Sequence, residues 1–291
     1  MKKIVLVFIS ILTLMLTSCN KNDKKADIIT TLYPQYSIAK EIVGDKLTVS
    51  LIVPIGSDGH HFTPTSKDLI DIKNAKLFLY TSDSMEVWVK NISGNKVDLS
   101  LGLDVCEHEH EHHQHDHVHY FVSISNQIKM TLTILEEIEK IDPNNSSFYE
   151  ENATALINRL TIIKEEFLLL NKPLTIYYVG HDVFLDFTHE TEINVFSLMS
   201  SFTDEASITS KDLQALINTI KNENISVIFY DSLTMKKTAK TIQNDLKKDG
   251  YSVEIRPFHS FHNVNLEDYK INKSITELWE ENLNVIKEFY E

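Results

Sequence analysis

The sequence predicts an α/β protein of two lobes, each a mostly parallel sheet flanked by helices, joined by one long connector helix. Three observations lead to this fold class. Strand-like and helix-like segments alternate in the first half of the chain, and the same alternation returns in the last third. Between them lies a long run with apolar residues at helical spacing. A length of 291 residues suits two domains or one large one, and a hydrophobic content of 42% supports a packed core.

The N-terminal lobe is expected to cover residues 27–145. Proline and glycine mark its element ends, because Pro34 and Pro54 stop strands and Gly44 stops the first helix. Thr65 is the expected N-cap of the second helix. The expected strands are 27–33, 47–53, 77–80 and 97–99, and the expected helices are 37–43, 66–74 and 124–141.

The connector helix is expected over residues 146–171. Its apolar residues recur at helical spacing, as at Leu156 and Leu160. Ser147 and Glu150 form a capping-box pattern at its start. About 23 helical residues at about 1.5 Å each give a rod of roughly 35 Å, long enough to cross a small domain.

The C-terminal lobe is expected to cover residues 172–291 and to repeat the α/β alternation. Gly250 ends a helix, and Pro257 is expected to stop the strand that follows it. The expected strands are 174–179, 227–230 and 251–255, and the expected helices are 211–221, 234–248 and 271–290.

The N-terminus has the features of an export signal. Two lysines precede an apolar stretch that is too short for a permanent membrane anchor, and the stretch ends in Leu16-Thr17-Ser18-Cys19. This ending resembles the bacterial lipobox, in which the cysteine is lipidated. The expected parts are a signal peptide at 1–18, a lipidated Cys19 and a tether at 19–26. The alternative is a plain secretory signal with a chance cysteine. If Cys19 carries lipid, Cys106 has no disulfide partner.

The overall charge limits the possible partners. A formal net charge of −14 argues against nucleic acid and against anionic membrane surfaces, and it is compatible with collecting cations. Nothing in the sequence demands a dimer, so we expect a monomer.

A dense histidine run lies at residues 107–119. Seven histidines alternate there with acidic residues, and so many polar rings could not all find partners in a buried strand or helix. Neutral imidazole is the usual ligand of zinc and related transition metals, so the run indicates an auxiliary metal-binding loop. The alternative is a solvated acidic loop without a role. Its candidate ligands are His108, His110, His112, His113, His115 and His117.

Three further candidate ligands lie at strand ends or loop exits: His60, His119 and His181. Open α/β sheets place their ligands at such positions. Zinc takes three or four nitrogen, sulfur or oxygen ligands in a tetrahedron, and three histidines from separate loops would provide most of them. Taken singly, each histidine is better explained as a surface or capping residue.

Three motifs in order along the chain resemble those of the metal-specific solute-binding lipoproteins of ABC importers, and the chain is most similar to their zinc branch. They are Pro54-x-Gly56…His60-x-Phe62-x-Pro64-Thr65-x-x-Asp68, Val118-His119-Tyr120-Phe121-Val122-Ser123 and His181-Asp182-Val183-Phe184. The resemblance implies that His60, His119 and His181 bind Zn²⁺ in the cleft between the lobes. It implies a lipid-anchored binding protein at the outer face of the cell membrane, which delivers zinc to a permease driven by an ATPase and is not an enzyme.

The sequence departs from the family pattern at the fourth ligand. Many relatives have a carboxylate just after the last strand of the second lobe, where this chain has Arg256 and then His259. The resemblance therefore leaves water, His259 or a residue of the histidine-rich loop as the fourth ligand. The manganese branch of the family pairs two histidines with two carboxylates, so three imidazoles favour zinc over manganese. Nickel and copper also bind imidazole.

Two other functions remain open from the sequence. A zinc hydrolase also uses three protein ligands and an open position, but the HExxH spacing occurs only inside the histidine-rich run, at residues 108–112, where histidines and acids simply alternate. An adhesin or metal buffer of the same family, without a transporter, would share all of the motifs described above.

Overall fold

The computed structural model describes residues 25–57, 59–103, 119–170, 173–199 and 208–290. Its N-terminal lobe is a four-stranded parallel sheet in the order β2-β1-β3-β4. The strands are β1 (Ile28–Thr30), β2 (Val49–Leu51), β3 (Leu77–Tyr80) and β4 (Lys96–Asp98). The helices of this lobe are α1 (Tyr33–Val43), α2 (Ser66–Asn74) and α3 (Ile124–Ile141), with a short 3-10 helix at Val87–Asn91.

The C-terminal lobe repeats this topology with a second parallel sheet in the order β6-β5-β7-β8. In both lobes the first strand in sequence lies between the second and the third. The strands are β5 (Leu174–Val179), β6 (Ile193–Ser197), β7 (Val227–Asp231) and β8 (Glu254–Phe258). The helices are α5 (Leu185–Thr191), α6 (Ser210–Asn222), α7 (Lys236–Lys248), α8 (Leu266–Lys270) and α9 (Ile275–Tyr290).

The connector is helix α4 (Ser146–Leu168), which follows a short 3-10 turn at Pro143–Asn145. It has 23 residues and lies between the two lobes in the chain, so the predicted fold class is confirmed. The predicted capping box at its start is wrong, because the N-cap residue is Asn145 and Ser147 lies inside the first turn. The predicted lobe boundaries at residues 145 and 172 stay predictions.

Each sheet has one face on a large shared core and one face on a small cluster of its own. Side chains alternate between the two faces of a strand, so Leu77 and Leu79 enter the shared core while Phe78 and Tyr80 pack on the other side. The shared core continues through the connector and into the second lobe, where it includes Trp279. The two lobes are therefore packed around common apolar side chains as well as joined by the chain.

Two prolines explain the largest differences between the predicted and observed elements. Helix α1 begins at Tyr33 because Pro34 occupies its first turn, where a missing N–H costs nothing. Strand β8 runs through Pro257 to Phe258 and does not stop before it. This is possible because β8 is an edge strand, which needs hydrogen bonds on one side only.

Short elements account for the other differences. The predicted helix at 271–290 corresponds to α9, which begins four residues later at Ile275, and the predicted set lacks α5, β6 and α8. Helix α5 has only 7 residues, which is too short for a clear helical period.

Several predictions fall on residues outside the described part of the chain. These are the signal peptide at 1–18, Cys19 with most of the tether, Cys106 and the auxiliary histidines from His108 to His117. Among the residues that the structure does describe, no helix is both long and apolar enough to span a membrane.

Candidate metal centre

Four histidines from four separate segments meet in the structure: His60, His119, His181 and His262. One nitrogen of each ring lies within 4.8 Å of the corresponding nitrogens of the other three. His60 and His119 follow strands of the N-terminal sheet in the chain, whereas His181 and His262 follow strands of the C-terminal sheet. Each lobe thus contributes two imidazoles to one cluster.

The four rings are arranged as a tetrahedron. Their six centroid separations all lie between 4.7 Å, for His119 and His181, and 5.8 Å, for His181 and His262. The other four lie from 4.9 to 5.2 Å. Four points in a plane would have clearly longer diagonals, so this near equality indicates a tetrahedral arrangement. Nε2 of His119 is 3.0 Å from Nε2 of His60, close to the about 3.3 Å edge expected for a tetrahedron of zinc–nitrogen bonds.

His60 lies in the loop between β2 and α2, and the far end of that loop is fixed by a helix cap. Thr65 Oγ1 accepts a hydrogen bond from Asp68 N, and the Asp68 carboxylate accepts hydrogen bonds in return from Thr65 N and Oγ1. This capping box confirms the predicted N-cap and holds the start of α2. The backbone that carries His60 therefore runs between two anchored ends.

His119 lies in the turn that leads into α3. Val122 N donates to His119 O at 2.9 Å and closes the turn. The next two residues, Tyr120 and Phe121, are fully buried. Tyr120 OH donates to Thr81 O at the end of β3. The buried aromatic pair thus anchors the turn to the sheet and presents His119 toward the other lobe.

His181 follows β5 directly, at the edge where parallel strands deliver ligands. Gly180 precedes it, and a Cβ at that position would lie 2.5 Å from the ring of Tyr178. Tyr178 OH in turn donates to Asp231 Oδ2 at the end of β7. Only glycine lets the chain pass this fixed ring, so the close packing of Tyr178 sets the point at which His181 leaves the sheet.

His262 lies in the loop after β8, and a strained residue positions it. Phe261 has a positive φ of 67°, which is unusual for a bulky side chain. It is held in this conformation by burial and by its contact with Trp279, whose ring centroid lies 4.1 Å away. The indole N–H of Trp279 donates to Gln127 in α3. The packing of both lobes therefore supports the backbone next to His262.

His262 is the most buried of the four, at 4% exposure. Its Nδ1 lies 3.4 Å from Ser260 Oγ, and its buried Nε2 has no hydrogen-bond partner within the described part of the chain. A buried ring nitrogen without a partner is costly, and a cation bound between the four rings would satisfy it. Burial also lowers the pKa of His262 well below the usual value, and the neighbouring His60 and His181 lower it further. The ring is therefore neutral at pH 7, as a metal ligand must be.

The predicted fourth ligand, His259, is not one of the four clustered histidines. Its Nδ1 lies 2.8 Å from Ser232 Oγ and its Nε2 lies 2.7 Å from Glu281 Oε2. One ring nitrogen thus contacts the residue that follows β7, and the other contacts α9. The positive charge of Arg256 is balanced by its ion pairs with Glu254 and Glu288, so Arg256 adds no unbalanced charge to the cluster.

The sequence-based prediction does not include His262, because it ends the last strand at residue 255, before Pro257. If Pro257 ended the strand, the residues next to the sheet edge would be Arg256 to His259. The observed strand continues to Phe258, and the loop that leaves the sheet then carries His262. The available signal was the second histidine of the sequence His259-Ser260-Phe261-His262, three residues beyond the first.

The donor set determines what this cluster can bind. Four imidazole rings arranged as a tetrahedron match the coordination number, the ligand type and the geometry that Zn²⁺ prefers. With four protein ligands the coordination shell is complete, as in zinc sites that hold an ion without reacting with it. The arrangement fits the capture of an ion.

Comparison with known proteins agrees with this chemistry. The high-affinity zinc uptake system protein ZnuA of Bacillus subtilis is 25% identical over 93% of this chain and 89% of its own length. The zinc-binding lipoprotein AdcA of Streptococcus pneumoniae is 25% identical over 99% of this chain, which spans 61% of that longer protein.

The fold agrees as well. The Zn(II)-bound ZnuA-like domain of Streptococcus pneumoniae AdcA superposes with a TM-score of 0.75 at 22% identity, over 91% of this chain and 99% of that one. The family model of ZnuA, described as the periplasmic component A of the zinc-uptake complex, matches residues 28–289 and therefore includes both lobes and all four clustered histidines. The chain belongs to this ZnuA family of zinc-uptake components.

Proposed function

We propose that this chain is the extracytoplasmic zinc-binding protein of an ABC importer, and that His60, His119, His181 and His262 hold the transported ion. The observation that carries the proposal is the tetrahedral cluster of four imidazoles, two from each lobe. The buried, unpartnered Nε2 of His262 supports it further.

The geometry favours zinc over the other candidate metals. Manganese prefers oxygen ligands, and the cluster offers nitrogen only. Nickel(II) and copper(II) bind imidazole but favour square-planar or tetragonal arrangements, whereas the four rings here are close to a tetrahedron. Zinc has no such preference from its d electrons and fits the tetrahedron as it stands.

The same geometry argues against a zinc hydrolase. Catalytic zinc sites keep one position open for water or substrate. Here a fourth histidine, His262, occupies the position that the sequence left open. The family is one of transport proteins, and we propose that this chain captures zinc without catalysing a reaction.

Delivery requires partners and a location at the membrane. We propose that the protein passes zinc to a permease driven by an ATPase, as expected of a component of a zinc-uptake complex. Lipidation of Cys19 after removal of residues 1–18 would hold it at the outer face of the cell membrane, and a similar protein is named a lipoprotein. We expect it to act as a monomer and to bind no nucleic acid.

The histidine-rich run has a separate proposed role. Its six histidines from His108 to His117 precede His119 in the chain, so zinc gathered there would be released close to the cluster. We propose that the run raises the local supply of zinc and that the cluster holds the transported ion.

Metal content and stoichiometry of the purified mature chain test these assignments. We expect one tightly bound zinc per chain, retained after deletion of residues 108–117. His262→Ala should lose it, whereas the matched variant His259→Ala should keep it, because His259 contacts Ser232 and Glu281. Retention of zinc by His262→Ala together with loss from His259→Ala would overturn the proposed ligand set. Loss of all tight zinc on deletion of the run would overturn the cluster as the primary site.

A further inference from the structure

A buried carboxylate of the C-terminal lobe binds the start of a helix in the N-terminal lobe. Glu190 lies in α5, and its side chain is 7% exposed. It accepts hydrogen bonds from the backbone N–H groups of Ile124 and Ser125, both at 2.9 Å, and from the hydroxyls of Ser123 and Ser125. The N-terminus of α3 carries partial positive charge and unpaired N–H groups, so a carboxylate is the natural partner there.

The connector helix joins the same contact. Lys164 Nζ, from α4, lies 3.2 Å from Glu190 Oε1 and 2.6 Å from Ser125 Oγ. One carboxylate thus links both lobes and the helix between them. Hydrogen bonds to a buried charged group are among the stronger ones in proteins, and their loss leaves the partners unsatisfied.

This contact joins two of the clustered histidines through their own segments. His119 lies in the turn that leads directly into α3, and His181 lies in the segment that leads from β5 into α5. Glu190 holds the first turn of α3 against α5. Glu190 therefore connects the segment that carries His119 to the segment that carries His181.

A second cross-lobe contact involves the residue next to His262. Asn263 is 5% exposed, and its Nδ2 donates to Pro54 O at 2.8 Å and to Ser57 O at 2.9 Å. Gly56 N donates to Val264 O at 3.1 Å in the same place. Pro54 and Ser57 belong to the loop that carries His60. Asn263 therefore ties the His262 loop of one lobe to the His60 loop of the other.

We infer that Glu190 and Asn263 are positioning residues that lock the four histidines into two cross-lobe pairs, His119 with His181 and His60 with His262. The inference rests on the proposed zinc site. Each pair takes one ligand from each lobe, so any separation of the lobes opens both pairs at once. Holding both pairs closed keeps the tetrahedron assembled and slows the release of zinc, because the ion leaves only after a pair has parted.

Isosteric substitutions of Glu190 and Asn263 test their positioning role, because they change the hydrogen bonds with little change in side-chain volume. Glu190→Gln replaces one acceptor oxygen with an NH₂ group that faces N–H and O–H donors. Asn263→Asp replaces the donor with an oxygen that faces two carbonyls. Asp212→Asn is the matched control, because Asp212 also accepts hydrogen bonds at a helix start but does so at α6, from Thr209. The measurements are the rate of zinc transfer to a chelator and the visible spectrum of the Co²⁺-loaded protein, which reports the coordination geometry.

We expect each cross-lobe variant to release zinc about tenfold faster than the wild type, the order of effect that outer partners of metal ligands have on metal binding. The Co²⁺ spectrum should change in both, and the control should match the wild type in rate and spectrum. Release rates and spectra equal to those of the wild type in both variants would overturn the inference while leaving the zinc site intact. If the wild type itself binds no zinc at the cluster, both the inference and the proposed function fail.

A variant that does not fold is replaced by a milder one. Ser125→Ala removes one hydroxyl contact to Glu190 and keeps the backbone N–H of that residue. We expect Ser125→Ala to release zinc faster than the wild type, as Glu190→Gln does. Release at the wild-type rate in a folded Ser125→Ala protein would count against the role of Glu190.

Discussion

Burial and charge at His262 make the proposed zinc site sensitive to pH at the scale of single residues. Imidazole must be neutral to bind a metal, and its unperturbed pKa is about 6.5. In the folded protein the pKa of His262 is lower, mainly because the ring is buried. Below pH about 6.5 the unfolded chain therefore takes up a proton at this residue that the folded chain refuses. Acid thus favours unfolding of the metal-free protein.

The pH dependence of the metal-free protein should report this directly. We expect the free energy of unfolding to fall as the pH drops below about 6.5, with a contribution from His262 of at most about 1.4 kcal/mol per pH unit. His262→Gln should remove that contribution. Denaturant unfolding with a chelator present, at a series of pH values, measures the slope. An unchanged slope in His262→Gln would contradict the assignment.

Helix caps fix the site at the scale of elements. The same four residues, Thr-Ser-Lys-Asp, start α2 at Thr65 and α6 at Thr209, and each forms the same capping box. The two helices hold equivalent places in two lobes of equal topology. Only the first box ends the loop that carries His60. The pair is therefore a natural comparison of a cap that supports the site with one that does not.

Loss of either cap should lower the stability of the fold by a similar amount, but only loss of the Thr65 cap should weaken zinc binding. We expect Thr65→Ala and Thr209→Ala each to lower the free energy of unfolding by about 1 kcal/mol. Thr65→Ala should also weaken zinc binding several-fold, because the loop from His60 to Thr65 loses an anchored end. Thermal unfolding and zinc competition titrations on both variants provide the test. Equal zinc affinity in the two variants would show that the cap has no role in the site.

The elements also show what the sequence could predict. Strands β3 and β5 and helices α2 and α3 match the predicted bounds, since their apolar patterns and end signals agree. The fold class and three of the clustered histidines follow from such local patterns. His262 does not follow from them, because a proline is expected to end a strand. Pro257 can lie inside β8 since β8 is an edge strand, which the sequence does not reveal. The contacts of Glu190 and Asn263 cannot be predicted from the sequence either, because their partners are distant in the sequence and only the fold brings them together.

At the scale of the whole molecule, the lobes are not free to move far. They share one apolar core that includes residues of both sheets and of α4 and α9. Separating them would expose that core to water, at roughly 25 cal/mol per Å² of apolar surface. The cross-lobe contacts of Glu190 and Asn263 add to this. We therefore expect zinc binding to involve small adjustments near the site and no large closure.

Solution scattering tests this rigidity. The radius of gyration of the mature chain without residues 108–117 should be the same, within error, before and after zinc is added. A compact chain of this size has a radius of gyration of about 18 Å. A clear decrease in the radius of gyration on zinc addition would mean that the lobes move together when zinc binds. The zinc-free protein could then not have the shared core described here.

The central claim is that four histidines, two from each lobe, hold the transported zinc ion. The most direct measurement is a crystal structure of the zinc-loaded protein, with zinc located by anomalous scattering at its absorption edge. The account predicts one zinc bound by His60, His119, His181 and His262, each at about 2.0–2.1 Å, in a tetrahedron. Zinc bound by three histidines with water in the fourth position, or zinc bound through His259 and Glu281, would contradict it.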